Sequence, residues 1–179
     1  MKRLILVYGS IAGAILVASV LITMTTGVHS IVVGYLSMLA ALAMVFVGVK
    51  RYRDEHLGGA IRLTSALGVG FGIALVASLF YVLAWEVYLF ATDYAFMAQY
   101  SAEVIAARRA EGASAVELAR MRTEFDAFAE SYKSPLVRVP LTFAEIAPVA
   151  LVVTLASAAL LRRPSFMPAR VGRFEQGET

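Results

Sequence analysis

From Leu4 to Val28 the chain carries no charged side chain, a run of 25 residues. Few folds accept such a run. A helix needs about 20 apolar residues to cross a hydrocarbon core about 30 Å thick. In lipid, every backbone donor and acceptor must be satisfied within the segment itself. Met1-Lys2-Arg3 ahead of the run resembles the start of a signal peptide. The run outlasts a usual signal core, however, and a second begins almost at once, so it reads as a retained first helix.

Three further spans follow. Ile31–Val49 is free of charge, and the turn that joins it to the first span falls within Thr25–Ser30, with Gly27 as its flexible member. These two spans predict an antiparallel hairpin. Residues 50–62 then read as a charged loop closed by Gly58-Gly59. The third span starts near Ile61 or Leu63 and meets no charge until Glu86. Its residues Leu63–Trp85 cover about 34 Å at about 1.5 Å per residue. That places Glu86 at the far interface, where Trp85, Tyr88 and Phe90 form an aromatic belt. The fourth span is read from about Leu141 to Leu161, ending in Arg162-Arg163-Pro164.

Composition agrees. At 60% hydrophobic and 16% charged, the chain is too apolar for a soluble domain of this size, which still exposes about a third of its unfolded surface. The absence of cysteine excludes disulfides and thiol chemistry. The expected fold is therefore an all-α integral membrane protein of four transmembrane helices, with a short helical hairpin at about 95–134 between helices three and four. Residues 1–163 form this domain, and 164–179 are expected to be a disordered polar tail.

Four spans put both termini on one side. With the termini and the 50–62 loop inside, inner segments hold ten basic residues against four acidic ones, and residues 86–145 hold six against nine. The positive-inside rule then makes the termini cytoplasmic and the 95–140 segment periplasmic or extracellular, in the bacterial inner membrane. The formal net charge of +3 resolves into +6 inside and −3 outside. It reports orientation and gives no reason to expect a nucleic-acid partner.

Gly112 divides the outer segment. Its first half ends in Arg108-Arg109, cations suited to a helix C-terminus. Its second half opens on Ser114-Ala115-Val116-Glu117, a capping box. Leu118, Met121, Phe125, Phe128 and Tyr132 then make one helical stripe, which Pro135 is expected to end. A hairpin lying over the outer mouth of the bundle or on the membrane surface would cover such a stripe, as would a homodimer or membrane-protein partner met through the 114–132 helix.

The candidate chemical groups fall into four sets. Glu86 and Glu145 stand at the outer boundary and, with Trp85, Tyr88 and Arg138, form a candidate polar network. Thr142-Phe143-Ala144-Glu145 reads as a second capping box, and Pro148 as a kink one turn inside span four. Lys50, Arg51, Arg53, His56 and Arg62 offer a candidate site for an anionic lipid headgroup. Gly9, Gly13, Gly68 and Gly72 make Gly-x-x-x-Gly pairs for close helix packing. Gly68-Val69-Gly70-Phe71-Gly72 follows no strand, so it is not a nucleotide loop. No catalytic motif, metal set or cofactor site is visible.

Several of these motifs occur together: Gly34-Tyr35-Leu36-Ser37-Met38, Lys50-Arg51-Tyr52-Arg53-Asp54, Gly58-Gly59, Trp85-Glu86-Val87-Tyr88, Tyr132-Lys133-Ser134-Pro135, Thr142, Glu145 and Pro148-Val149. In these the chain resembles the bacterial membrane family catalogued as domain of unknown function 4199, over about residues 5–163. The resemblance implies a four-span inner-membrane protein with no assigned activity, substrate or cofactor. Ala150 stands where the family often has glycine, which counts against a role needing backbone freedom there. The leading expectation is a non-enzymatic accessory, assembly or lipid-associated factor. The alternatives are a small oligomeric transporter with Glu86 and Glu145 lining an outward mouth, and an intramembrane lipid-modifying enzyme.

Overall fold

The structure, a computed structural model, describes residues 1–26 and 31–169. The turn expected around Gly27 and the tail beyond Ala169 lie outside the described residues. Among the described residues there are six helices: α1 (Lys2–Thr26), α2 (Ile31–His56), α3 (Leu63–Ala91), α4 (Phe96–Ala110), α5 (Ala115–Tyr132) and α6 (Pro135–Leu161). Helices α1, α2, α3 and α6 are long and apolar enough to span a membrane, and α4 and α5 form a hairpin between α3 and α6.

Two helix boundaries differ from the sequence expectation. Residues 50–56 continue α2, because Lys50–Asp54 and Arg51–Glu55 are ion pairs one turn apart that support the helix where lipid no longer does. Only the short stretch through Gly58 (φ 64°) and Gly59 (φ 93°) is a turn, and both glycines take a backbone that other residues reach only with strain. At the other boundary, Pro135 opens α6 instead of merely closing α5. Its missing N–H costs nothing at a first helical position, where that donor is unpaired in any case. Thr142 is therefore inside the helix, and its hydroxyl donates to the Arg138 carbonyl at 3.0 Å instead of capping Glu145.

The chain forms two compact units. One holds Met1–Tyr81 together with the chain from Ile146 onward, and the other holds Val82–Glu145. In the first unit α1 and α2 are antiparallel: Ser19 donates to Ser37 at 3.0 Å near one end, and Arg51 donates to the Tyr8 hydroxyl at 2.9 Å near the other. Tyr8, Ala12, Leu16 and Val20 form the buried stripe of α1 at four-residue spacing. Leu6, Ile22, Val32 and Leu75 are equally apolar yet exposed. Apolar residues all round a helix are the mark of a lipid-facing span.

Glycines set the closest approaches. A Cβ added at Gly9 would lie 2.5 Å from Val76 Cβ, one at Gly13 2.5 Å from Phe80 Cγ, and one at Gly72 2.8 Å from Ile5 Cδ1. The constant offset between these pairs runs α1 parallel to α3. Gly68 has nothing within 4 Å, so it does not pack as its spacing suggests. Gly70 does instead, with Thr154 Cγ2 only 2.7 Å from its missing Cβ, and Gly48 meets Ile73 and Tyr8.

Candidate functional site

In the second unit the polar groups converge on Arg138. Opening α6 at Pro135 places Arg138 in its first turn, 2% exposed. Its Nε donates to Glu86 Oε1 at 2.7 Å and one terminal nitrogen to Glu86 Oε2 at 2.6 Å, a two-pronged pair. The other terminal nitrogen donates to the carbonyls of Tyr132 and Lys133, both at 3.0 Å. Those carbonyls lie at the C-terminus of α5, so a cation there also meets the negative end of the helix. The guanidinium carbon lies 5.1 Å from the Tyr94 ring centroid and 5.9 Å from that of Tyr132.

Tyr94 reaches this position from a constrained turn. Asp93 (φ 50°) and Tyr94 (φ 57°) both take the left-handed backbone, which costs energy without glycine. The Tyr94 N–H bond to the Leu89 carbonyl at 2.8 Å closes the turn after α3. Trp85 Nε1 donates to the Tyr132 hydroxyl at 2.8 Å. Burial, the largest influence, pushes the Tyr132 phenol above its ordinary pKa, and the Glu145 charge adds to the rise. Opposing it are the bonds to Trp85 and Thr142 and the charge of Arg138. Aromatic contacts continue outward: Trp85 to Phe96 at 4.8 Å, Phe96 to Tyr100 at 5.9 Å, and Tyr100 to Phe125 at 6.1 Å.

The structure thus joins Glu86, Trp85 and Arg138, and holds Tyr88 beside Trp85 at 5.2 Å. Glu145 is exposed, and Pro148 lies within an uninterrupted α6. Tyr94 and Tyr132 belong to the cluster without having stood out as polar candidates. The available signal was Pro135 directly after Tyr132-Lys133-Ser134, which marks a helix start as readily as a stop. On α5 the Ser114 side-chain half of the expected capping box is present, its hydroxyl accepting from the Glu117 N–H at 3.2 Å.

The basic groups of the first unit divide sharply. Arg53 is fully buried. It donates to Asp54 at 2.6 Å, and to the carbonyls of Leu161, Phe166 and Met167 at 3.4, 2.9 and 2.5 Å. It therefore clasps the end of α6 and the stretch just beyond it, as far as Met167. Asp54 also accepts from Lys50 at 2.5 Å, Arg51 is held by Glu55 and Tyr8, and His56 stacks on Tyr52 at 5.3 Å. Of the expected headgroup set, only Arg62 is exposed with no side-chain partner. Lys2, Arg3, Arg162 and Arg163 share that state, at helix ends that the Tyr8–Arg51 and Arg53–Leu161 bonds bring to the same end of the unit. Among the described residues no group of three or more His, Asp or Glu is placed to hold a metal ion.

Four apolar spanning helices with a charged end and an extramembrane hairpin define a polytopic α-helical membrane protein. Residues 7–163 match the family described as Protein of unknown function (DUF4199), and the chain belongs to that family, as a multi-pass protein of the bacterial inner membrane. Neither the curated proteins nor the solved structures contain a match to it.

Proposed function

We propose that this protein is a non-enzymatic accessory factor of the inner membrane that associates with anionic lipid. One observation carries the reading: five cations at one end of the first unit, Lys2, Arg3, Arg62, Arg162 and Arg163, have no partner, while Lys50, Arg51 and Arg53 beside them are all satisfied internally. Unpaired cations at a bilayer surface attract anionic headgroups, at about 1 kcal/mol each. The partly buried pair at the other candidate site supports the same reading. Both oxygens of Glu86 are engaged by Arg138, so a transporter mouth built on Glu86 would have to break that pair first.

Native mass spectrometry of the gently extracted protein tests the proposal. The wild type should retain phosphatidylglycerol in preference to phosphatidylcholine. The triple variant R62Q/R162Q/R163Q keeps Lys2 and Arg3 to preserve insertion, and should lose at least about tenfold of that preference. K50Q/R51Q should keep it. A bare monomer carrying neither lipid nor partner would contradict the proposal, as would equal losses in the two variants.

A further inference from the structure

The cations of the α4–α5 hairpin also fall into two sets. Arg108 pairs with Glu111 at 3.0 Å, Arg120 with Glu124 at 3.0 Å and Lys133 with Glu130 at 2.6 Å. Arg109 and Arg122 make no such pair, although Asp126 stands one turn beyond Arg122, a spacing at which helical ion pairs form readily. The two unpaired guanidiniums line one and the same cleft, of about 340 Å³, between α4 and α5. Asp126 lines it too, and much of the remaining wall is apolar, from Ala102, Ile105 and Phe125. Ile105 is buried, and Phe125 is held edge-on by Tyr100.

We propose that this cleft binds a phospholipid, with the phosphodiester on Arg109 and Arg122 and the start of an acyl chain along Ala102, Ile105 and Phe125. Three features select that occupant. The guanidinium fork matches phosphate oxygens in shape and charge. Two arginines and Asp126 leave one net positive charge, which the single negative charge of a phosphodiester balances. A free phosphate would leave the apolar wall wet, and a hydrocarbon would leave both guanidiniums unused. The volume lies at the lower end for small-molecule sites, enough for a headgroup and the first part of a chain. The hairpin is carried between two membrane-spanning helices, α3 and α6, so phospholipid is the phosphate-bearing amphiphile at hand. The site shares no residue with the five cations of the first unit and stands whether or not those bind lipid.

The test is binding of dihexanoyl phosphatidylglycerol to the full chain carrying R62Q/R162Q/R163Q, which removes the competing cations of the first unit, in a maltoside detergent, read by native mass spectrometry. R109Q/R122Q should weaken binding at least about tenfold, the scale of two lost charge-assisted contacts. R108Q/R120Q removes the same charge from paired, exposed positions and should change binding by less than about twofold. Glycerol phosphate, which has the headgroup chemistry without chains, should fail to displace the lipid. Undiminished binding in R109Q/R122Q overturns the proposal, as do equal losses in both double variants or displacement by glycerol phosphate. A wild-type arm needs no variant to fold: phosphatidylglycerol with a photoreactive acyl chain should label residues 101–126, and labelling confined to other segments overturns the proposal.

Discussion

Arg138 does several things that no other residue in the described chain does together. It neutralises a carboxylate on α3, closes the carbonyls at the end of α5, and lies against two tyrosine rings while sitting in the first turn of α6. Substituting Gln would leave Glu86 facing a neutral partner and Tyr132 and Lys133 with unmet carbonyls. Arg138 is buried but the Glu86 carboxylate is 27% exposed, so the loss of the pair should cost about 1–3 kcal/mol. R138Q should therefore lower the thermal midpoint of the protein in detergent and speed hydrogen exchange at the end of α5. R138K keeps the charge without the fork and should recover only part of the loss. Exchange at α5 unchanged in R138Q would remove Arg138 from this role. Tyr132 supplies a second test. Its pKa is raised, so the fold favours the neutral phenol, and the stability this contributes is complete below the ordinary tyrosine value of about 10. It is lost as pH rises through the higher value of the folded state. A difference titration of phenolate absorbance between wild type and Y132F should show one phenol ionising above the ordinary range. A phenol ionising within that range would contradict the burial argument.

At the scale of elements, the spans were readable because lipid leaves little choice. A charge-free run of this length has to be a helix, and α1, α2 and α3 begin within two residues of where that rule puts them. What could not be read was where helices continue beyond the lipid. Lys50-Arg51-Tyr52-Arg53-Asp54-Glu55 has loop composition, yet its opposite charges sit one turn apart and keep α2 helical. Pro135 carries two meanings, and the helix start is the one that goes with the Arg138 contacts to Glu86 and Tyr94. Glycine spacing had the same ambiguity. Gly68 and Gly72 share the right interval, but α3 turns Gly70 and Gly72 toward its neighbours and leaves Gly68 open. Opposite outcomes should follow from one kind of substitution. G13A drives a Cβ into the root of Phe80, where the ring cannot simply swing away, and should cost about 1–3 kcal/mol. G68A meets open space and should be neutral or slightly stabilising, since alanine is the better helix former. Thermal unfolding in detergent compares the two, and equal losses would mean that the α1–α3 contact is not as close as described.

For the whole molecule, the sequence announced a charge asymmetry but could not show which cations were already spent. Lys50, Arg51 and Arg53 were the natural headgroup candidates because they are clustered in the chain. The fold turns Arg53 inward onto the end of α6 and pairs the other two, so that among the described residues of this unit the free charges are scattered in sequence over Lys2, Arg3, Arg62, Arg162 and Arg163. Only tertiary structure could make that distinction, since it depends on which helix ends meet. The functional account then rests on which leaflet those five cations face. The chain has no cysteine, so a single introduced thiol reports its own position without competition. A113C in the α4–α5 turn and S165C after α6 should be compared in intact cells with a membrane-impermeant maleimide. The account predicts that A113C is labelled from outside and that S165C is labelled only after the membrane is permeabilised. Labelling of S165C in intact cells, with A113C protected, would put the free cations on the outer face and contradict the account.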